Sequence, residues 1–145
     1  MLETTKISLN IRLTSHGLII GPVGLKSDCL SFRCKDGVQI SDDVHRVNRI
    51  KRKSEVKFTL IVEKESIYFR IKASGFHKKY KCVVTTPKGQ SDVATREVSR
   101  KLRDHLRVPF YISVDLNAHG LLILCHLSSV QKFKLLTIQI LLFLI

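Results

Sequence analysis

Two apolar runs that each end abruptly in a carboxylate constrain this chain more than any other feature. Phe58-Thr59-Leu60-Ile61-Val62 runs into Glu63, Lys64 and Glu65. Val108-Pro109-Phe110-Tyr111-Ile112-Ser113-Val114 runs into Asp115 and, five residues on, Gly120. Each reads as a buried strand that presents a carboxylate at its carboxyl end. In an open α/β sheet that edge is where ligands and metals bind. A third strand, Cys82-Val83-Val84-Thr85-Thr86, lies between them, followed by a Pro87-Lys88-Gly89-Gln90 turn and a basic helix. Strand and helix alternate through this stretch, so the expected fold class is α/β, a small Rossmann-like domain with a mainly parallel sheet.

The helices can be placed by their apolar spacing. Lys64 to Ala73 forms one, with Ile67 and Ile71 four apart on its inward face and Gly75 placed to stop it. Residues 91–107 form the clearest. Ser91 or Asp92 can cap it, and Ala94, Val98, Leu102 and Leu106 make an apolar stripe at strict four-residue spacing. Arg96, Arg100, Arg103 and Arg107 make a second stripe on another face. Its plain reading is a solvated surface, with Asp92 and Arg96 as one pair four residues apart.

Upstream, a small β-rich lead-in is expected. Residues 7–13 alternate apolar and polar, Gly17 to Gly21 brackets a short strand, and Cys29 to Cys34 alternates into a Lys35-Asp36-Gly37 hairpin turn. The basic run from His45 to Lys53 reads as a solvated linker or short helix, and alternatively as a phosphate-contacting patch. The expected partition is 1–54 for the lead-in and basic linker, 55–127 for the α/β domain, and 128–145 for an apolar tail. The apolar end of that tail is too short to span a bilayer, which takes about 20 residues. Extended back to Leu121, it would have to bury His126, Lys132 and Lys134, so no membrane partner is expected.

Charge narrows the partners. Against 12 Asp and Glu stand 25 Lys and Arg, giving a net charge of +13 and an isoelectric point near 9.9. That excess favours a polyanion, most simply nucleic acid. The four cysteines form no CxxC pair and have no histidines at zinc-ligand spacing. With no secretory leader in this sequence, reduced thiols in the cytosol or nucleus are the expectation.

Carboxylates converging from neighbouring strand ends repel one another and favour a divalent cation. Magnesium commonly takes one or two carboxylates, keeps several waters and shares its remaining positions with phosphate. An unrelated small magnesium enzyme acting on phosphates satisfies this chemistry as well as any nucleic-acid enzyme does.

Three segments narrow the choice: Leu60-Ile61-Val62-Glu63-Lys64-Glu65-Ser66, Lys88-Gly89-Gln90-Ser91-Asp92-Val93-Ala94-Thr95-Arg96, and Val114-Asp115-Leu116-Asn117-Ala118-His119-Gly120. Together they resemble the Toprim domain shared by the A subunit of topoisomerase VI and the meiotic double-strand-break proteins. The likeness begins at Ser8-Leu9-Asn10-Ile11 and runs to about Leu124.

The resemblance implies that Glu63 and Asp115 are Mg2+ ligands, with Asn117 where most members carry a second Asp. It implies that Lys88 and Arg96 face DNA, and the basic charge of the helix extends the expectation of DNA contact to Arg100 and Arg103. Pro87 stands where the family has Gly, removing a backbone donor from that turn. Intact relatives of this kind are homodimers that cut duplex DNA by tyrosyl transesterification with an ATPase B subunit or B-like partner, and a nuclear location is expected. The nucleophilic tyrosine lies in a winged-helix domain before the residues matched here. Tyr68, Tyr80 and Tyr111 lack its context. A non-catalytic isoform or degenerate copy that binds DNA or dimerises without cleaving is therefore the alternative function.

Overall fold

The computed structural model describes residues 17–27, 31–40, 44, 46–88, 93–115, 117–118, 120–122 and 125. Its eight strands are β1 (Leu18–Ile20), β2 (Val23–Lys26), β3 (Ser31–Arg33), β4 (Val38–Gln39), β5 (Arg49–Arg52), β6 (Phe58–Val62), β7 (Cys82–Thr86) and β8 (Phe110–Ser113). Its helices are α1 (Glu65–Ala73), α2 (Phe76–Lys79) and α3 (Val93–Leu106). The central sheet runs β4-β1-β7-β6-β8. β6 pairs parallel with both β7 and β8, while β1 pairs antiparallel with β7 and β4. The fold is α/β, as the sequence predicts.

The period-2 alternation of strands divides the core in two. Ile19, Ile61, Val83 and Ile112 point to one face, where they meet the Ala94, Val98, Leu102 and Leu106 stripe of α3. Ile20, Leu60, Val62 and Val84 point to the other, where Tyr68, Ile67, Ile71 and Phe76 of α1 and α2 cover them. Helices on both faces are what parallel crossovers demand. The turn between α1 and α2 needs Gly75: it sits at φ 68°, and a Cβ there would meet nothing within 4 Å, so backbone conformation alone selects glycine.

A second sheet, β3-β2-β5, stacks its Leu25 and Ile50 on the α3 side. Two expectations are corrected here. The Arg49–Arg52 part of the basic run is a strand, not a linker or helix, because Ile50 is buried while Arg49, Lys51 and Arg52 stay exposed along an extended ladder with β2. The Lys35-Asp36-Gly37 turn does not close a hairpin. Cys34–Asp36 is a 3-10 turn, Gly37 takes φ 84°, and β4 leaves to pair with β1. The strand expected for residues 7–13, the Asp92–Arg96 pair and the tail 128–145 lie outside the described residues.

Two side chains bind the second sheet and its flanking loop to α3. Lys101 Nζ donates to the carbonyls of Val44 at 2.9 Å and Val47 at 2.7 Å. The Arg52 guanidinium donates to the Leu106 carbonyl, placing a cation on the negative end of the helix.

Candidate metal centre at the carboxyl edge of the sheet

β6 and β8 are adjacent and level, with Val62 opposite Ser113. The residues leaving each strand therefore emerge side by side. The Glu63 amide donates to the Ser113 carbonyl at 3.0 Å, extending the ladder by one step. The Asp115 amide then donates to Glu63 Oε2 at 2.9 Å, which ties one carboxylate to the backbone of the other. Glu63 is buried to 9% exposure; Asp115 is half-buried.

Neighbouring groups frame this pair. Lys64 Nζ lies 2.6 Å from Asp115 Oδ2. The Asp115 carboxylate hydrogen-bonding that ammonium holds Lys64 above its ordinary pKa. Thr86 Oγ1 donates to the Glu63 carbonyl at 3.3 Å and accepts the Lys88 amide at 3.2 Å, which fixes the β7 loop against β6. Asn117 Oδ1 accepts the Gly120 amide at 2.8 Å and so caps the helical residues Ala118, Gly120, Leu121 and Leu122. Gly120 is required there, since any Cβ would collide with the Asp115 carbonyl oxygen.

Glu63 and Asp115 are thus brought together, and Asn117 follows them on the Asp115 loop. The donor set is hard oxygen, which suits magnesium. The ammonium on Asp115 shows that the position accepts positive charge. An amide oxygen has two lone pairs, so the cap uses only part of what Asn117 offers. Among the described residues no cluster of three or more His, Cys, Asp or Glu is assembled for a metal, so the oxygen donors this edge offers a cation are the Glu63 and Asp115 carboxylates, with the Asn117 amide on the adjoining loop.

The basic residues singled out from sequence are placed differently. Lys88, in the left-handed region at φ 56°, turns its ammonium to Glu65 at 2.9 Å. On α3, Arg100 pairs with Glu97 and Arg103 with Asp104. Arg96 is half-buried on the same helix. Lys64 and Thr86 receive no role from the sequence, although Lys64 lies inside the Leu60 to Ser66 segment beside Glu63 and Thr86 closes an apolar strand.

Residues 58–138 match the Toprim domain family of the topoisomerase 6 A subunit/Spo11 type. The chain belongs to this family. It is 34% identical over 129 residues to the A subunit of DNA topoisomerase 6 from Arabidopsis thaliana, covering 86% of this chain and 30% of that protein. It is 33% identical over 130 residues to meiotic recombination protein SPO11 of Homo sapiens, covering 86% and 32% respectively. The A subunit of type 2 DNA topoisomerase 6 from Aeropyrum pernix is 39% identical over 85 residues, 59% of this chain and 21% of the relative. The chain spans about a third of the length of the first two relatives. The Toprim match covers every residue of the carboxylate edge.

Proposed function

We propose that this Toprim chain supplies the magnesium-binding part of a DNA-processing protein of the topoisomerase VI and meiotic-break type. The observation that carries the reading is the pairing of Glu63 and Asp115 at adjacent parallel strand ends. These two carboxylates would hold Mg2+, with the Asn117 amide oxygen as a weaker neutral contact. Bound there, the ion would stabilise negative charge on DNA phosphate oxygens. The chain's own residues set the stage. Thr86 fixes the β6 and β7 ends, the Asp115 amide orients Glu63, and Lys64 neutralises Asp115. DNA is the proposed macromolecular partner, in keeping with the +13 charge. A second copy of the chain and an ATPase B subunit or B-like protein would complete the assembly, with the nucleus as the place of action. Calorimetric titration with MgCl2 tests the core of this reading. The parent should bind a single ion, and Glu63→Gln or Asp115→Asn should weaken it at least about tenfold, a loss of about 1.4 kcal/mol. Equal titrations for all three would sink it.

One observation favours the non-cleaving alternative for this chain. Tyr68 is buried, and burial pushes its hydroxyl up to about 12, the wrong direction for a nucleophile. Tyr111 packs edge-on against Phe58, and Tyr80 lies against Phe76. Supercoiled plasmid incubated with the chain, Mg2+, ATP and a B subunit should yield no detergent-trapped covalent adduct. An adduct on any of these tyrosines would overturn the alternative.

A further inference from the structure

The opposite edge of the sheet carries a second feature. Lys81 immediately precedes β7, and Gly21-Pro22 leaves β1 beside the amino end of β7, since Ile20 pairs with Val84. The Lys53 amide donates to the Pro22 carbonyl at 2.8 Å, bringing the end of β5 to the same place. A cavity of about 460 Å3 opens there, within the size range of ligand sites. Arg33, Lys35, Lys53, Lys78 and Lys81 line it, with His77, and among the described residues no carboxylate does.

The charge balance differs from that of the arginine stripe on α3. Arg100 and Arg103 have acidic partners on their own helix. Among the described residues, Lys81 alone of the five cavity cations forms an ion pair, with the exposed Glu55 at 3.0 Å. Such a surface pair is weak and screened. Cations drawn from β3, the 3-10 turn, the end of β5, α2 and the approach to β7 are held around one concavity, where their fields add.

His77 contributes to the wall. It is 4% exposed, and neither ring nitrogen has a well-formed hydrogen bond, although the Ile71 carbonyl lies close enough to favour the protonated ring. Burial and the adjacent Lys78 hold its pKa below the ordinary value, against the weaker pull of Asp36. The wall thus sets a buried imidazole, disfavoured as a cation, among exposed lysines and an arginine.

We propose that this amino-edge cavity is a phosphate-binding site for a nucleic-acid backbone, separate from the carboxylate edge. The proposal rests on DNA being the partner. Backbone phosphates are the polyanion that a cluster of exposed Lys and Arg on a small basic domain suits best. Contact with them is independent of sequence and releases counterions, so it carries a salt signature.

The test is anisotropy of a labelled duplex titrated with the full chain at several salt concentrations. Three proteins are compared: the parent, the cavity triple Lys35→Gln, Lys53→Gln and Lys78→Gln, and an equal-charge triple of exposed lysines outside the cavity, Lys26→Gln, Lys57→Gln and Lys79→Gln. Melting curves establish that each is folded, and a Lys-to-Arg cavity triple supplies the rescue. The slope of log affinity against log salt should fall by about 2 to 3 in the cavity triple, at about 0.9 per phosphate contact. It should fall much less in the equal-charge triple and return with arginine. Equal losses in the two glutamine triples would show only bulk charge and overturn the cavity, leaving the DNA reading intact. A parent that binds no duplex would overturn both. Inorganic pyrophosphate forms a second arm. Its saturable binding, lost in the cavity triple while duplex binding persists, would assign a free phosphate ligand and overturn the backbone reading.

Discussion

The Lys64 ammonium stands 2.6 Å from an Asp115 oxygen that a magnesium ion would claim. Two cations cannot share that oxygen without repulsion, so Lys64 competes with the metal as well as neutralising the carboxylate. Lys64→Ala should therefore raise Mg2+ affinity. Both side chains are substantially solvated, so the gain should stay within about fivefold. Calorimetric titration measures it, and an unchanged or weaker affinity would mean that Lys64 orients Asp115 for the ion. Thiol chemistry gives a second prediction. Burial pushes Cys34 and Cys82 up to about 11, which keeps them as thiols, whereas Cys125 is exposed. Iodoacetamide at pH 8 should label Cys125 well before Cys34 or Cys82, as read by peptide mass spectrometry. Rapid labelling of Cys34 would mean that the β3 end opens readily. The sequence offers Glu63 and Asp115 directly because each terminates an apolar run. It does not offer the Lys64 pair or the Thr86 bridge, which exist only once three strand ends are level.

At the scale of elements, legibility follows how much of a segment is buried. β6 and β7 show as continuous apolar or β-branched runs, and α3 shows through its four-residue stripe. β5 does not show, because Ile50 is its sole apolar residue and Val44, Val47 and Ile50 recur every third position, as on a helical turn. Pairing partners are equally hidden: β4 joins β1 across the sheet rather than its sequence neighbour β3. The weight carried by the α3 stripe is measurable. Leu102 is fully buried between the sheet and the lead-in, so Leu102→Ala should cost about 2–5 kcal/mol in denaturant unfolding. Arg52→Ala, which removes only a cation from the carboxyl end of that helix, should cost about 0.3–1 kcal/mol. Comparable losses would mean that the Arg52 contact organises the whole second sheet.

At the scale of the molecule, charge separates toward the two ends of one sheet. The carboxyl edge carries Glu63, Asp115 and Glu65 with Lys64 and Lys88 against them. The amino edge gathers cations, and among the described residues no carboxylate lines the cavity wall. Composition announces the excess of base, but its cavity residues come from five separate segments, so no motif could reveal the concentration. The polarity makes the carboxyl edge respond to added charge in a definite way, and Asn117→Asp tests it. An aspartate there still accepts the Gly120 amide and suits a helix amino terminus, so the cap survives. What changes is a unit of negative charge on the loop two residues past Asp115. Without metal it adds repulsion toward Glu63 and Asp115, and at about 4 Å with an effective dielectric of ~20 a unit pair amounts to about 4 kcal/mol before screening. With magnesium the same charge meets a divalent ion, and the attraction is about twice the unit-pair value. Solvent and retained waters reduce both, so the signs are the prediction. The variant should melt below the parent in chelator and gain more from added Mg2+, because an ion that binds only the folded state stabilises it by RT ln(1 + c/Kd) at free-ion concentration c, which grows as binding tightens. Glu63→Gln should show the reverse, with a blunted gain. Identical magnesium-dependent shifts in parent, Asn117→Asp and Glu63→Gln would mean that these residues do not share a cation.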